Sequence, residues 1–503
     1  MSSTSSAAPS PGLPAESKRL IALLVVSSFI VILNETIMSV ALPELMEDLA
    51  ITATTAQWLT TGFLLTMAIV IPVSGFVLQR FQVKQIFITA MAAFSVGTLI
   101  AALAPGFEVL LAGRIVQATG TALMIPLLMT TVMTLVPLQQ RGQVMGLIGI
   151  VIAVAPAIGP TISGVILDAL DWRWMFWIVL PIALGGLATG FAWVRNVTSP
   201  QGAHLDVFSV VVSALGFGGI VYGLSSIGEA SHGPTAVSPA IPIAIGVVSL
   251  AVFVWRQLQL GDRALLDLRV FASPQFRIAA LMFVATMMML LGALIILPMF
   301  MQRVLGFSTL TTGLLLLPGG LVMGMLGPVV GGAFDRFGPR PLVVPAAAVV
   351  LVAMVLLSML DEGTSKGFIV FAHVVLSIGL GLMFTPLLAT ALGSVPPERY
   401  SHGSAIVNTV QQVAGAAGTA IFITVMTRSA QSSAGGDGAA AEAGAALADG
   451  VHTAMLTGVG IAVIALIVAL FVRRPDAPVA VETVVVPDAS SEEATTERIT
   501  ESV

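Results

Sequence analysis

An all-α polytopic membrane protein is the fold class that this sequence predicts, and three observations carry the prediction. Of its 503 residues, 57% are hydrophobic and only 9% charged, where a soluble domain carries about 25% charged residues. Apolar runs of about 20 residues recur along almost the whole chain, each long enough to cross a hydrocarbon layer of roughly 30 Å. The runs also repeat. Pro72-Val73-Ser74-Gly75-Phe76-Val77-Leu78-Gln79-Arg80-Phe81-Gln82-Val83-Lys84 aligns without gaps with Pro328-Val329-Val330-Gly331-Gly332-Ala333-Phe334-Asp335-Arg336-Phe337-Gly338-Pro339-Arg340. Each copy closes the second span of a set of six, so two six-span halves with an extra pair of spans between them are expected.

Residues 1–17 are rich in Ser, Pro and Ala and lack a basic n-region, and Lys18 and Arg19 directly precede a full-length apolar run. That run is expected to be a membrane helix, not a cleaved signal. Spans are expected at roughly 20–43, 56–78, 85–104, 108–136, 143–167 and 174–194, then 207–227 and 237–256. Six more follow at roughly 276–300, 308–332, 341–360, 367–393, 403–427 and 452–472, making fourteen. The divisions are thus an N-terminal segment 1–19, a first half 20–194, an insertion 207–256, a second half 276–472 and an acidic tail 473–503. The two end segments are expected to be disordered in the cytoplasm. Segment 428–451, rich in Ser, Ala and Gly, reads as an outer loop made partly helical by its alanines.

Charge placement orients the spans. With the N-terminus inside, only Arg173, Arg303, Lys366 and Arg428 fall in outer loops. The inner loops hold Lys18, Arg19, Arg80, Lys84, Arg141, Arg195, Arg256, Arg263, Arg269, Arg277, Arg336, Arg340, Arg399, Arg473 and Arg474. The positive-inside rule therefore places both termini in the cytoplasm.

Composition also excludes functions. A net charge of -5 spread over the chain does not suggest nucleic acid, and the absence of cysteine excludes a disulfide framework, thiolate catalysis and a cysteine-ligated metal. Five scattered histidines do not build an enzyme's cluster of acid, base and nucleophile. No soluble output domain suits a sensor, and no phosphate-binding loop suits ATP as the energy source.

Two charges lie well inside spans. Glu35 is about eight residues from the outer end of the first span, and Arg114 about six from the outer end of the fourth; both sit roughly 10 Å below the outer surface. Opposite charges at one depth in a low-dielectric medium are expected to find each other. The pair reads either as a proton switch, in which Glu35 loads a proton and releases Arg114, or as a fixed ion pair bracing the first half. Asn34 and Gln117 are its polar neighbours, and Asn34 faces about 100° away from Glu35 on a helix.

The paired loops resemble the cytoplasmic signature of the major facilitator superfamily, Gly-x-x-x-Asp-Arg-x-Gly-x-Arg/Lys. Residues 331–340 carry it whole; in the first copy Gln79 and Gln82 replace the usual Asp and Gly, while Arg80 and Lys84 are kept. Leu33 to Pro43 is similar to the first-span motif of the fourteen-span drug:proton antiporters, Leu-Asp-x-Thr-x-x-x-x-Ala-Leu-Pro, with Asn34 in the Asp position and the acid one place later at Glu35. Arg114-Ile115-Val116-Gln117-Ala118-Thr119-Gly120 resembles the fourth-span motif Arg-x-x-Gln-Gly-x-Gly. Ala155 to Gly164, with Gly159 and Pro160, resembles the fifth-span antiporter motif. Gln57-Trp58, Asp171-Trp172-Arg173-Trp174, Pro298 to Gly306 and Val395 to Arg399 fit the same branch, and the similarity covers about residues 20–472.

The resemblance implies the major facilitator fold and a monomer in a bacterial inner membrane among membrane lipids. It implies proton-coupled export of amphipathic drugs, as in multidrug-efflux and lincomycin-resistance transporters, with the proton as coupling ion and no other cofactor. Export of one endogenous lipid or metabolite is the alternative. Gly159, Pro160 and Gly164 have a packing role first, and the resemblance adds resistance to proton leak. Asp335, Arg336 and Arg340 serve topology, or latch the halves through an Asp–Arg contact at a helix end. Candidate cavity residues are Asn34, Gln117, Trp58, Phe63, Met288 (within Met287 to Met289), Phe384, Asn408 and Gln411. Met323, Met325 and Gln412 are comparable, and His373 reads as an interfacial or packed histidine.

Overall fold

The computed structural model describes residues 14–196, 205–230, 238–433 and 440–474. Expectations for residues 1–13 and for the tail beyond Arg474 lie outside the described residues. All regular structure among the described residues is helical, and fourteen helices are long and apolar enough to cross a membrane. They are α1 (Ala15–Asp48), α2 (Ala53–Arg80), α3 (Val83–Ala102), α4 (Phe107–Leu135), α5 (Arg141–Ala169) and α6 (Trp174–Trp193), then α7 (Val207–Ala230) and α8 (Ala240–Leu260). The last six are α9 (Pro274–Arg303), α10 (Thr309–Phe337), α11 (Arg340–Ser358), α12 (Lys366–Gly393), α13 (Tyr400–Ser433) and α14 (Ala440–Ala469).

Many of these helices begin on a side chain that satisfies an otherwise orphaned N–H. Thr52 caps α2, Ser273 caps α9, Ser308 caps α10 and Ser365 caps α12. The helices extend beyond the apolar runs that announced them: α1 takes in Lys18 and Arg19, and α13 and α14 continue to Ser433 and back to Ala440. Most of segment 428–451 is therefore helical. Its alanines carry the helix on past the apolar stretch.

The two sets of six pair their helices alike. In the first set α1 packs on α5 and α6, α3 on α4 and α6, and α2 on α4. In the last set α9 packs on α13 and α14, α11 on α12 and α14, and α10 on α12. With fourteen spans, α1 begins and α14 ends at one face of the bundle, called here the termini end, and the opposite face is the far end.

The halves meet along two seams. At the first, α5 lies on α10 with backbones nearly touching: a Cβ added at Gly146 would stand 2.2 Å from the Gly327 carbonyl oxygen, and one at Gly331 2.1 Å from that of Gly142. Only glycine permits this approach. At the second, α13 lies on α2 and reaches α4. Gln79 donates to Ser401 (3.1 Å) and shares a 2.6 Å hydrogen bond with His402. The Thr130 and Ser404 hydroxyls lie 2.9 Å apart, and Arg141 donates to the Tyr400 hydroxyl at 3.0 Å. These polar contacts across the second seam all lie towards the termini end.

The link from α8 to α9 is pinned to the last half. Asp267 accepts from Arg269 and pairs with Arg399 at 2.9 Å, just before α13. Burial pushes the Asp267 carboxyl up, but the Arg269 hydrogen bonds and the Arg399 and Arg269 charges outweigh it and hold the group below its ordinary value. A depressed folded-state value means the stabilisation is present above the unfolded value and is lost as pH falls through the folded one. Asp267→Asn is expected to lower stability in detergent by roughly 1–2 kcal/mol at neutral pH, discounted because Arg269 is partly solvated. Thermal melts of variant and wild type should converge at acid pH.

Candidate functional site

The sequence places Arg114, Gln117 and Gly120 three residues apart, on one face of α4. That face is pressed against α3. A Cβ at Gly120 would stand 2.2 Å from the Ala90 carbonyl oxygen, and one at Gly113 2.9 Å from the Ala101 nitrogen. The close approach sets the depth and direction of Arg114, which is 1% exposed.

A polar chain then crosses the first half. Gln117 Nε2 donates to the Thr98 hydroxyl at 2.7 Å, and Gln117 Oε1 accepts from Arg114 Nη1 at 3.1 Å. The same nitrogen donates to Asn34 Oδ1 on α1 at 3.2 Å. The guanidinium lies 4.1 Å from the centre of the Phe63 ring on α2, a cation–π contact in a water-poor site. Arg114 Nε has no hydrogen-bond partner among the described residues. The four helices α1 to α4 are thus joined around one buried cation.

Glu35 is not in hydrogen-bond or ion-pair contact with that cation: no pair within 4.0 Å joins them among the described residues. The direct contact expected from their equal depth is replaced by Asn34. The turn of about 100° between adjacent helical residues sends Asn34 inward to Arg114, fully buried, and leaves Glu35 half-buried on the neighbouring face. One residue on, the Thr36 hydroxyl donates to the Ala155 carbonyl of α5 at 3.3 Å. Gly159 makes that crossing possible, since a Cβ there would stand 2.2 Å from Thr36 Oγ1. Gly164 does not share this role. Among the described residues a Cβ at Gly164 would meet nothing within 4 Å, so no close approach like that of Gly159 is seen there. Pro160 lies within α5 between them.

The remaining candidates scatter. Trp58 faces the insertion, stacked on Tyr222 of α7 with centroids 5.7 Å apart, because the α2 face that carries it is covered by α7. Phe63 supports Arg114. Phe384 is buried edge-on against Phe283 at 5.4 Å, inside the last half. The Met288 backbone is where α9 touches α13: a Cβ at Gly418 would stand 2.5 Å from it. Asn408 bridges the halves, donating to Met129 Sδ at 3.3 Å and to the Ser404 carbonyl at 2.8 Å. Gln411 is half-buried beside it on α13 with Oε1 unpartnered, and Gln412 donates to Met67 Sδ at 3.6 Å. His373 packs against α10 at Gly319.

The two loop motifs both reach across the halves, with partners that the sequence did not indicate. Among the described residues the Asp335 carboxylate makes no ion pair within 4.0 Å, although Arg474 donates to its backbone carbonyl at 3.3 Å; its two carboxylate oxygens accept from the backbone N–H groups of Gly142 (2.8 Å) and Gln143 (3.0 Å). Those groups open α5, so the carboxylate caps a helix N-terminus in the other half. Arg336 and Arg340 are exposed, and Arg336 lies over Phe337 at 5.0 Å. In the first copy, Gln79 bonds Ser401 and His402 as above, Arg80 is exposed, and Lys84 donates to the Phe191 carbonyl at 2.8 Å within its own half. His402, Tyr400 and Arg141 are seam residues that no motif marked. Asp335→Asn keeps one acceptor and loses the charge at the α5 N-terminus, worth about 1 kcal/mol. The closed-to-open ratio at the termini end should fall about fivefold, read as a loss of the shorter distance between spin labels on the α4–α5 and α10–α11 links.

This helix arrangement matches known proteins. The family model described as Major Facilitator Superfamily matches residues 24–419. The chain belongs to the major facilitator superfamily. It is 41% identical over 458 residues to the lincomycin resistance protein LmrB of Listeria monocytogenes, covering 90% of this chain and 96% of that protein. It is 40% identical over 454 residues to LmrB of Bacillus subtilis, covering 90% and 95%. The human organic anion transporter MFSD10 (TETRAN) shares the fold, with a TM-score of 0.65 at 15% identity over 91% of this chain and 100% of that one. This major facilitator protein is a multi-pass membrane transporter with two six-helix sets and an inserted pair.

Proposed function

We propose that this chain is a proton-coupled drug exporter in which Glu35 is the acid that exchanges protons with the substrate. The observation that carries the reading is the separation of α1's two polar neighbours. Asn34 satisfies the buried Arg114, and Glu35 is left half-buried without a bonded partner among the described residues. A carboxyl at that depth is costly to keep for stability alone. The nearby guanidinium favours its charged form and burial its neutral form, so opening and closing the site changes its proton affinity.

The basic residues gathered at the termini end support a cytoplasmic placement of that end. The halves are bridged there by Gln79, Asp335, Arg141 and Asn408. These contacts support a state closed to the cytoplasm, with Glu35 about 10 Å below the outer face and loaded from outside. The LmrB relatives, named for lincomycin resistance, support a drug as substrate. A cationic amphipathic compound suits the site, because it competes with the proton for one carboxylate.

The test is transport by purified protein in liposomes under an imposed pH gradient, with ethidium and lincomycin as probes. Gradient-driven accumulation of either supports the proposal. Movement that ignores the gradient contradicts proton coupling, and movement of neither probe favours a single endogenous lipid or metabolite.

A further inference from the structure

The two seams between the halves are closed by different means. The α5–α10 seam is closed along its length, by backbone contact of Gly142 with Gly331 and Gly146 with Gly327 at the termini end, then by the side chains of Val154 against Gly324 and Thr161 against Gly313 towards the far end. The α2–α13 seam is not. Its specific contacts run from Gln79 with Ser401 and His402 to Met67 with Gln412, about half-way along α2. Beyond that point the insertion takes over. Gly218 of α7 lies on Leu65 and Ile69, with an added Cβ 3.1 Å from Leu65 Cδ1, and Tyr222 stacks on Trp58 nearer the far end. The same helix packs on α13 as well as on α2, so α7 lies across the seam between them.

The insertion is built as one stiff unit. A Cβ at Gly219 would stand 2.8 Å from the Pro242 carbonyl oxygen, and one at Gly246 2.9 Å from that of Gly216, so α7 and α8 approach as closely as their backbones allow. The opposite face of α8 is apolar and exposed, with Ile241, Ile245, Val248 and Trp255 turned outward, as a lipid-facing surface requires.

Its attachments are unequal. At the termini end a chain of hydrogen bonds runs from Asp206 through Ser209 and Gln257 to the Leu266 backbone N–H. Asp267, next in sequence, pairs with Arg399 at the start of α13. Against α2, by contrast, the described contacts of α7 are aromatic and aliphatic, with no hydrogen bond among the described residues. Polar mooring fixes a position; an apolar face can slide.

We infer that the α7–α8 pair is a lateral seal on the α2–α13 seam, which travels with the last six helices, slides over α2, and keeps lipid chains out of the space between the halves. The inference rests, for the sliding but not for the sealing, on the proposed export cycle, taken as alternating access in which the halves open in turn to either side. Any transporter that parts α2 from α13 at the far end would otherwise expose its site to acyl chains there, and a lipid-dissolved substrate would enter sideways. With the seal in place, substrate does not pass between α2 and α13.

The absence of cysteine makes single-site labelling direct. Spin labels at Leu65→Cys and Ile69→Cys, in protein reconstituted in phosphatidylglycerol–phosphatidylethanolamine vesicles, are tested for collision with oxygen, which enriches in lipid, and with a water-soluble nickel chelate. The expected result is oxygen accessibility several-fold below that of a label at Val248→Cys, with and without ethidium. Accessibility equal to that at Val248 in either condition overturns the seal. For the sliding, distances are measured at the far end between Ile241→Cys on α8 and Leu103→Cys beside α3, and between Ile241→Cys and Met359→Cys beside α11. A change in the first with the second fixed supports the inference; a change in the second, or in both, overturns it. If the Leu103–Met359 control does not change with ethidium or pH, alternating access itself fails, while the accessibility result still decides the seal.

Discussion

Glu35→Gln is expected to abolish accumulation driven by a pH gradient while leaving exchange of substrate down its own gradient. The substitution keeps the size and the hydrogen-bonding capacity of the side chain and removes only its titration. Glu35 is half-buried and makes no ion pair with Arg114, whose Nη1 is already committed to Asn34 and Gln117. Folding should therefore be nearly unchanged, and thermal stability should hold or rise slightly as a desolvated carboxylate is replaced by a neutral amide. A fixed ion pair bracing the first half predicts the reverse: a marked fall in melting temperature with transport still driven by the gradient. Measuring both quantities on one preparation separates the two.

The second large effect is at the α5–α10 seam. Gly146→Val places a branched side chain where even a Cβ would stand 2.2 Å from the Gly327 carbonyl oxygen and 2.6 Å from its carbon. The obstacle is backbone, so no rotamer change relieves it, and the helices must move apart. Overpacking of this kind costs about 1–3 kcal/mol or more, set against a gain of up to about 1 kcal/mol in helix propensity. Every 1.4 kcal/mol is about tenfold in an equilibrium constant, so the ratio of closed to open states falls by about tenfold or more. Labels on the α4–α5 and α10–α11 links should report a wider termini end, and transport should fall to the background of empty vesicles. Retained transport with an unchanged distance would mean that the two backbones need not meet during the cycle.

The span count and the six-plus-two-plus-six order were legible because apolar length and repeated loop motifs are local signals. Where a helix carried on by alanines ends was less so: α13 and α14 run well past their apolar stretches. Arg114, Gln117 and Gly120 were legible as a face because their spacing is that of a helix. Equal depth made Arg114 and Glu35 look like partners, but depth fixes one coordinate and leaves rotation about the axis open. That rotation gives Arg114 to Asn34. The stacking of Trp58 on Tyr222 was illegible for a similar reason, because nothing in its own span reveals that α7 meets its face. The sequence offered Asp335 as one side of an Asp–Arg contact and not as a helix cap, since its partners are backbone N–H groups, which no side-chain pattern records. His402 gave no signal at all; its pairing with Gln79 joins residues far apart in sequence.

The most direct test of Glu35 as the exchanging acid is proton release on substrate binding, in weakly buffered detergent solution with a pH indicator. Wild-type protein is predicted to release protons when ethidium or lincomycin is added near neutral pH, with Glu35→Gln binding the same compound and releasing none. Equal release from both proteins, or binding by the wild type without release, would contradict the account.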